Sequence, residues 1–93
     1  MRATTIEQTK RGVLSAVGAR IGELRRGVGV TQDELAERAG MATRDLARIE
    51  AGGRNVTVGT LVRIACALGV DMARLFDPPT TPRLGAGRPR KRR

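Results

Sequence analysis

Ninety-three residues suffice for one small domain, and the 40% apolar content, carried by Ala, Val, Leu and Ile with Phe76 as the one aromatic, favours small packed helices over sheets. The net charge of +9 favours a polyanionic partner, while the absence of His and the single cysteine, Cys66, exclude an internal disulfide and a cysteine–histidine metal cluster. No apolar run approaches the ~20 residues of a membrane span and no secretory signal pattern opens the chain, so a cytoplasmic, nucleoid-associated protein with no membrane partner is expected.

Residues 1–12 are mostly polar and read as an extension, flexible or partly helical, with Ile6 as the anchor of an early turn. A domain over 13–77 follows. From Leu14 the apolar positions Leu14, Val17, Ile21 and Leu24 fall three and four apart, the stripe of an amphipathic helix that Gly18 and Gly22 weaken. Gly27 and Gly29 can supply its left-handed stop. Thr31-Gln32-Asp33-Glu34 has capping-box spacing and opens a second helix with Leu35, Ala36 and Ala39 inward. Gly40 ends it in a turn that needs positive φ, and Met41 follows as an apolar plug.

A third helix is expected from about Thr43 to Ala51. At ~100° per residue, Ala42, Leu46 and Ile49 share one face, and Thr43, Arg44, Ala47, Arg48 and Ala51 the opposite one. Gly52-Gly53 breaks it and Arg54-Asn55 lie in the loop. Thr57 caps a fourth helix with Leu61, Ile64, Ala65 and Leu68 inward, ended by Gly69. Cys66, next to that apolar face, reads as a packed, inert thiol. Asp71 caps a short fifth helix with Met72, Leu75 and Phe76 inward, as core or as a dimer contact, until Asp77-Pro78-Pro79 stops it. Residues 78–93 form a Pro/Gly/Arg-rich tail without apolar periodicity, expected to be disordered. Positions 80–93 carry six basic groups and no acid, which leaves the body only mildly basic.

Two helices around a glycine turn, inside five short helices, make a helix-turn-helix arrangement. The stretch from Leu14 to Phe76 resembles the Cro/C1-type (Xre-like) family of phage and bacterial regulators. The resemblance rests on "LR" before a glycine, "TQDELA", "AG" at the turn, "RIEAG", and "TLVRIACALGV" ahead of "LF". It implies an all-α, compact five-helix bundle of the lambda-repressor-like kind. It also implies that Thr43, Arg44 and Arg48 project into the major groove, where arginine offers two donors to guanine O6 and N7. Gln32 at the start of the second helix and Arg54 and Asn55 in the loop would meet phosphates, and Glu50 would pair with Arg25 to tie helix three to helix one. Two positions depart from the family. Ala42 stands where a Ser or Thr cap is usual, so Thr43 would have to take over by shifting the start. Asp45 would repel phosphates unless it pairs with an arginine or accepts from a cytosine amine.

The expected function is a sequence-specific, double-stranded-DNA-binding transcriptional regulator, a repressor, acting as a homodimer on a pseudo-palindromic operator. Two other readings stand beside it. One is an antitoxin or accessory subunit whose main task is to hold a small protein partner. The other is an architectural DNA-binding protein driven by the tail, whose Arg88, Arg90, Lys91, Arg92 and Arg93 suit phosphates or, through Gly87-Arg88-Pro89, an A·T minor groove. Neither a cofactor nor a metal is expected, and no catalytic constellation presents itself.

Overall fold

The apolar positions spaced three and four apart gather on one core in the computed structural model, which describes residues 3–80. Four α-helices and a 3-10 helix follow in order: α1 (Ala3–Gly27), α2 (Gln32–Ala39), α3 (Thr43–Glu50), α4 (Val58–Leu68) and η1 (Met72–Phe76). The described residues contain no strand, so the fold is all-α. None of their helices is long and apolar enough to cross a membrane. The tail residues Arg88, Arg90, Lys91, Arg92 and Arg93 lie outside the described residues.

The core takes Val17 and Ile21 from α1, and Leu35, Ala36 and Ala39 from α2. Leu46 and Ile49 come from α3, four residues from α4, and Leu75 from η1. Ile21, Leu35, Leu46, Ile64 and Leu75 are fully enclosed. Each such side chain contributes about 1.5–3 kcal/mol relative to an exposed one. α2 packs on both α3 and α4, α1 on α3, and η1 closes the bundle against α1 and α4.

α1 extends far ahead of its apolar stripe, as one helix of 25 residues. Positions 5–13 are all exposed. The helix-forming residues Glu7, Gln8, Lys10 and Arg11, with a Glu7–Lys10 pair at 3.5 Å, maintain those turns where packing does not. Gly27 remains helical, and the left-handed stop falls at Gly29 with φ 78°. α2 begins as its sequence demands. The Thr31 hydroxyl accepts from the Glu34 amide at 3.0 Å and Glu34 Oε1 accepts from the Thr31 amide at 2.8 Å. The Thr31 amide, and then its hydroxyl, hold the Glu34 carboxyl below its ordinary range. The contribution of this cap is therefore complete above the ordinary carboxylate pKa and is lost as pH falls through the lower folded value.

Five expectations are corrected. Ala42 is exposed: it is the N-cap of α3 in an extended conformation, so the angular spacing of a helix does not apply to it. Thr43 is the first helical residue and does not replace it, and no side chain caps α3. Phe76 is 52% exposed, because η1 is a 3-10 helix in which Met72 and Leu75 stack one above the other and Phe76 turns a third of a circle away. Asp71 starts η1 without a side-chain cap, its carbonyl accepting from the Arg74 amide at 2.9 Å. Cys66 is exposed, on the outward line of α4 that also carries Val58 and Val62 at four-residue spacing.

Gly18 and Gly22 are contact points and not weak places. A Cβ at Gly18 would run into the Ile49 carbonyl oxygen and lie 2.8 Å from that of Glu50, and one at Gly22 would lie 3.1 Å from Glu50 Oε1. The last turn of α3 thus lies directly on the backbone of α1. The Arg25–Glu50 pair locks it there. Arg25 Nε donates to Glu50 Oε2 at 2.8 Å and Nη2 to Oε1 at 3.2 Å, with side chains only 12% and 8% exposed. Arg25 Nη1 also donates to the Val30 carbonyl at 3.0 Å, and Gln32 Nε2 to Glu50 Oε1 at 3.1 Å.

Gly18→Ala is expected to destabilise the protein by about 1–3 kcal/mol in urea unfolding, through overpacking against α3. Gly12→Ala, where an added Cβ meets nothing, should instead stabilise it by about 0.8–1 kcal/mol through helix propensity. Arg25→Ala should cost about 3–5 kcal/mol in the same measurement, because it strands a buried carboxylate.

Candidate nucleic-acid interface

The helix-turn-helix is α2, the Gly40 turn and α3. Gly40 adopts φ 71°, and the Met41 amide returns to the Ala36 carbonyl at 2.9 Å. An arginine of α4 secures the same turn from outside. Arg63 Nε donates to the Ala39 carbonyl at 2.9 Å, and Nη2 donates to that of Gly40. These are the carbonyls that a helix end leaves without partners. The sequence reading missed Arg63. A lone cation in the otherwise apolar "TLVRIACAL" is its one signal, and spacing alone did not reveal the turn it reaches.

α3 buries Leu46, Ile49 and Glu50 and turns Arg44 and Arg48 to solvent, one helical turn apart. Among the described residues neither arginine meets an acid or a hydrogen-bond acceptor. Arg20, Arg25, Arg54, Arg63 and Arg74 are all engaged, whereas Arg44 and Arg48, like Arg11 and Arg26 of α1, keep their donors free, and they alone do so on α3, the packed second helix of the motif. Thr43 and Ala47 beside them are half-buried and small, and leave a ridge on which long side chains stand out.

The remaining candidates surround this ridge. Gln32, half-buried at the first position of α2, has its amide nitrogen committed to Glu50, so it shares one network with Arg25. Arg54 and Asn55 are exposed in the loop between α3 and α4. Arg54 Nη1 donates to Asp45 Oδ1 at 2.8 Å, which neutralises the acid at the edge of the ridge. The structure therefore brings together Thr43, Arg44 and Arg48 on one face, with Arg54 and Asn55 just beyond its end. Arg25, Gln32 and Glu50 lie behind it. The described residues hold no cluster of His, Cys, Asp or Glu suited to a metal ion.

A helix-turn-helix family model matches residues 21–75, from the last turns of α1 through α2, α3 and α4 to Leu75 of η1. The uncharacterised HTH-type transcriptional regulator y4dJ of Sinorhizobium fredii is 44% identical over 62 residues, covering 67% of this chain and 80% of that protein. Among solved structures, the restriction-modification controller protein C.AhdI from Aeromonas hydrophila superposes with a TM-score of 0.67 at 33% identity. That match covers 68% of this chain and 96% of the controller. The clp gene regulator ClgR from Corynebacterium glutamicum gives 0.66 at 32% identity, over 68% of this chain and 67% of that one. The chain belongs to the helix-turn-helix family, in its Cro/C1 (Xre-like) form, the DNA-binding regulators of transcription.

Proposed function

We propose that the protein is a sequence-specific repressor that binds a pseudo-palindromic operator as a homodimer. The observation that carries this reading is the pair of unengaged, exposed arginines one turn apart on a helix whose other face is fully packed. Arg44 and Arg48 each present the fork that matches guanine O6 and N7, and Thr43 offers a methyl group to thymine. Arg54 and Asn55 take phosphates and set the register, joined by the second hydrogen of the Gln32 amide that Glu50 leaves over and by the amides at the start of α2 that lack a helical acceptor. Arg54 remains suited to this although paired, since an exposed ion pair is worth little and yields readily to a phosphate. Arg25 and Glu50 hold the ridge and do not touch the DNA. The tail residues Arg88, Arg90, Lys91, Arg92 and Arg93 add cationic attraction along the duplex.

One recognition helix reads only a few base pairs, too few for selectivity in a genome, and two copies on half-sites about one helical turn apart supply the rest. The exposed Val58 and Val62 of α4 and Phe76 of η1 support a second copy as their cover.

Selection of bound duplexes from a random pool, at stated salt, is expected to return a two-fold motif with half-sites about one helical turn apart. Arg44→Ala and Arg48→Ala should each remove about 1–3 kcal/mol of preference for the selected operator over random DNA. Equal losses on both DNAs would contradict base reading by this helix.

A further inference from the structure

The outer turns of α1 precede the region shared with the family and build a feature of their own. Gly52, with φ 78°, brings the α3–α4 loop onto α1 so closely that a Cβ there would lie 2.8 Å from Ser15 Cα. Beyond this contact α1 and the loop diverge, and a cleft of about 320 Å³ opens between them. Leu14 lies at its apolar base, Lys10 and Arg11 line it from α1, and Gly53, Arg54 and Asn55 from the loop.

The chemistry of the cleft is that of an anion site. Glu7, the one acid among the described residues that borders it, pairs with Lys10 at 3.5 Å, and Arg54 pairs with Asp45 outside it. Arg11 has no partner among the described residues, nor do the Asn55 side chain and the backbone amides of Arg54 and Asn55. The cleft is thus lined on its α1 side by a residue with an unpaired guanidinium and on its loop side by residues with three unpaired neutral donors. Its position is equally specific. The Gly53 amide donates to the Arg48 carbonyl at 3.0 Å, so the cleft begins where α3 ends. An eight-residue helix is about 12 Å long, close to the width of the major groove, which puts whatever lies just past its end beside a row of phosphates.

We propose that this cleft seats a backbone phosphate of the bound duplex, with Arg11 as its cation and Asn55 and the two loop amides as its donors. The inference rests on the DNA-binding reading above. It adds to that reading a wall that the extended α1 supplies. Arg11 is exposed at an open helix position, so its removal leaves the fold in place, which a thermal melt followed by circular dichroism verifies.

The test uses the full chain with two duplexes, the operator recovered by selection and a random sequence, across a salt series. Arg11→Ala should weaken both by the same factor and lower the log–log salt slope by about 0.9 per copy of the chain bound. Its deficit should accordingly shrink about 3.5-fold per copy between about 50 and 200 mM salt. In ethylation interference one phosphate per half-site should cease to matter. Arg11→Lys keeps the charge at the same place and should retain both the slope and the interference pattern. An unchanged slope and interference pattern for Arg11→Ala would overturn the proposal, as would a loss in Arg11→Lys equal to that in Arg11→Ala. Saturable binding of inorganic phosphate by the free chain, abolished in Arg11→Ala, with DNA affinity intact, would make the cleft a small-anion site and overturn it too. If Arg11→Ala behaves as wild type while Arg44→Ala still loses operator preference, the cleft falls alone. If the wild type shows no operator preference, base reading falls, and the random duplex still decides the role of Arg11.

Discussion

The arrangement depends on one buried ion pair and the bare backbone beside it. Glu50 is the one charged side chain among the described residues that is buried, and it closes the last turn of α3. Its carboxylate accepts two bonds from Arg25 of α1 and one from Gln32 of α2, so three helices meet at one group. Such a pair is a weak source of stability, since desolvating both charges offsets most of their attraction. What it supplies is position. A hydrophobic contact at this point would tolerate sliding and rotation, whereas a bidentate guanidinium–carboxylate pair fixes both. Gly18 adds a steric side to the same constraint by letting the carbonyls of α3 rest on α1.

The result is a division of arginines by role. Arg25 and Arg63 are spent on the interior of the motif, one at the end of α3 and the other at the turn before it. Arg54 balances Asp45 at the rim. Arg44 and Arg48 are left with all their donors unclaimed on a helix whose other face is packed into the core and tied to α1. Under the proposed function that economy helps, because donors without a partner have no bond to break before they meet a base edge, and the packed helix that carries them has little backbone freedom left to lose. A core without His or Tyr is sufficient for this task, which needs rigid placement and no proton transfer.

Much of this was legible in the residues. The capping box at Thr31, the caps at Thr57 and Gly69 and the inward stripes of α2 and α4 are local patterns, and local patterns survive folding. The exposure of Arg44 and Arg48 followed from angular spacing alone. Spacing failed where the chain leaves ideal helix geometry: at Ala42, an extended cap, and at Phe76, in a helix of three residues per turn. It also failed where meaning is tertiary. Gly18 has poor helix propensity on its own and becomes a point of close backbone contact once α3 lies against it. Arg63 and the cleft beneath Arg11 were invisible because each joins elements far apart in the chain.

The central claim is that the α3 ridge enters the major groove and reads guanines through arginine forks. Dimethyl sulfate interference on the bound operator measures this most directly, since the reagent methylates guanine N7 in the major groove and adenine N3 in the minor groove. The account predicts that methylation of guanine N7 within each half-site blocks binding, and that these positions lose their effect in Arg44→Ala or Arg48→Ala. Interference confined to adenine N3, or guanine N7 interference that both variants retain, would contradict it.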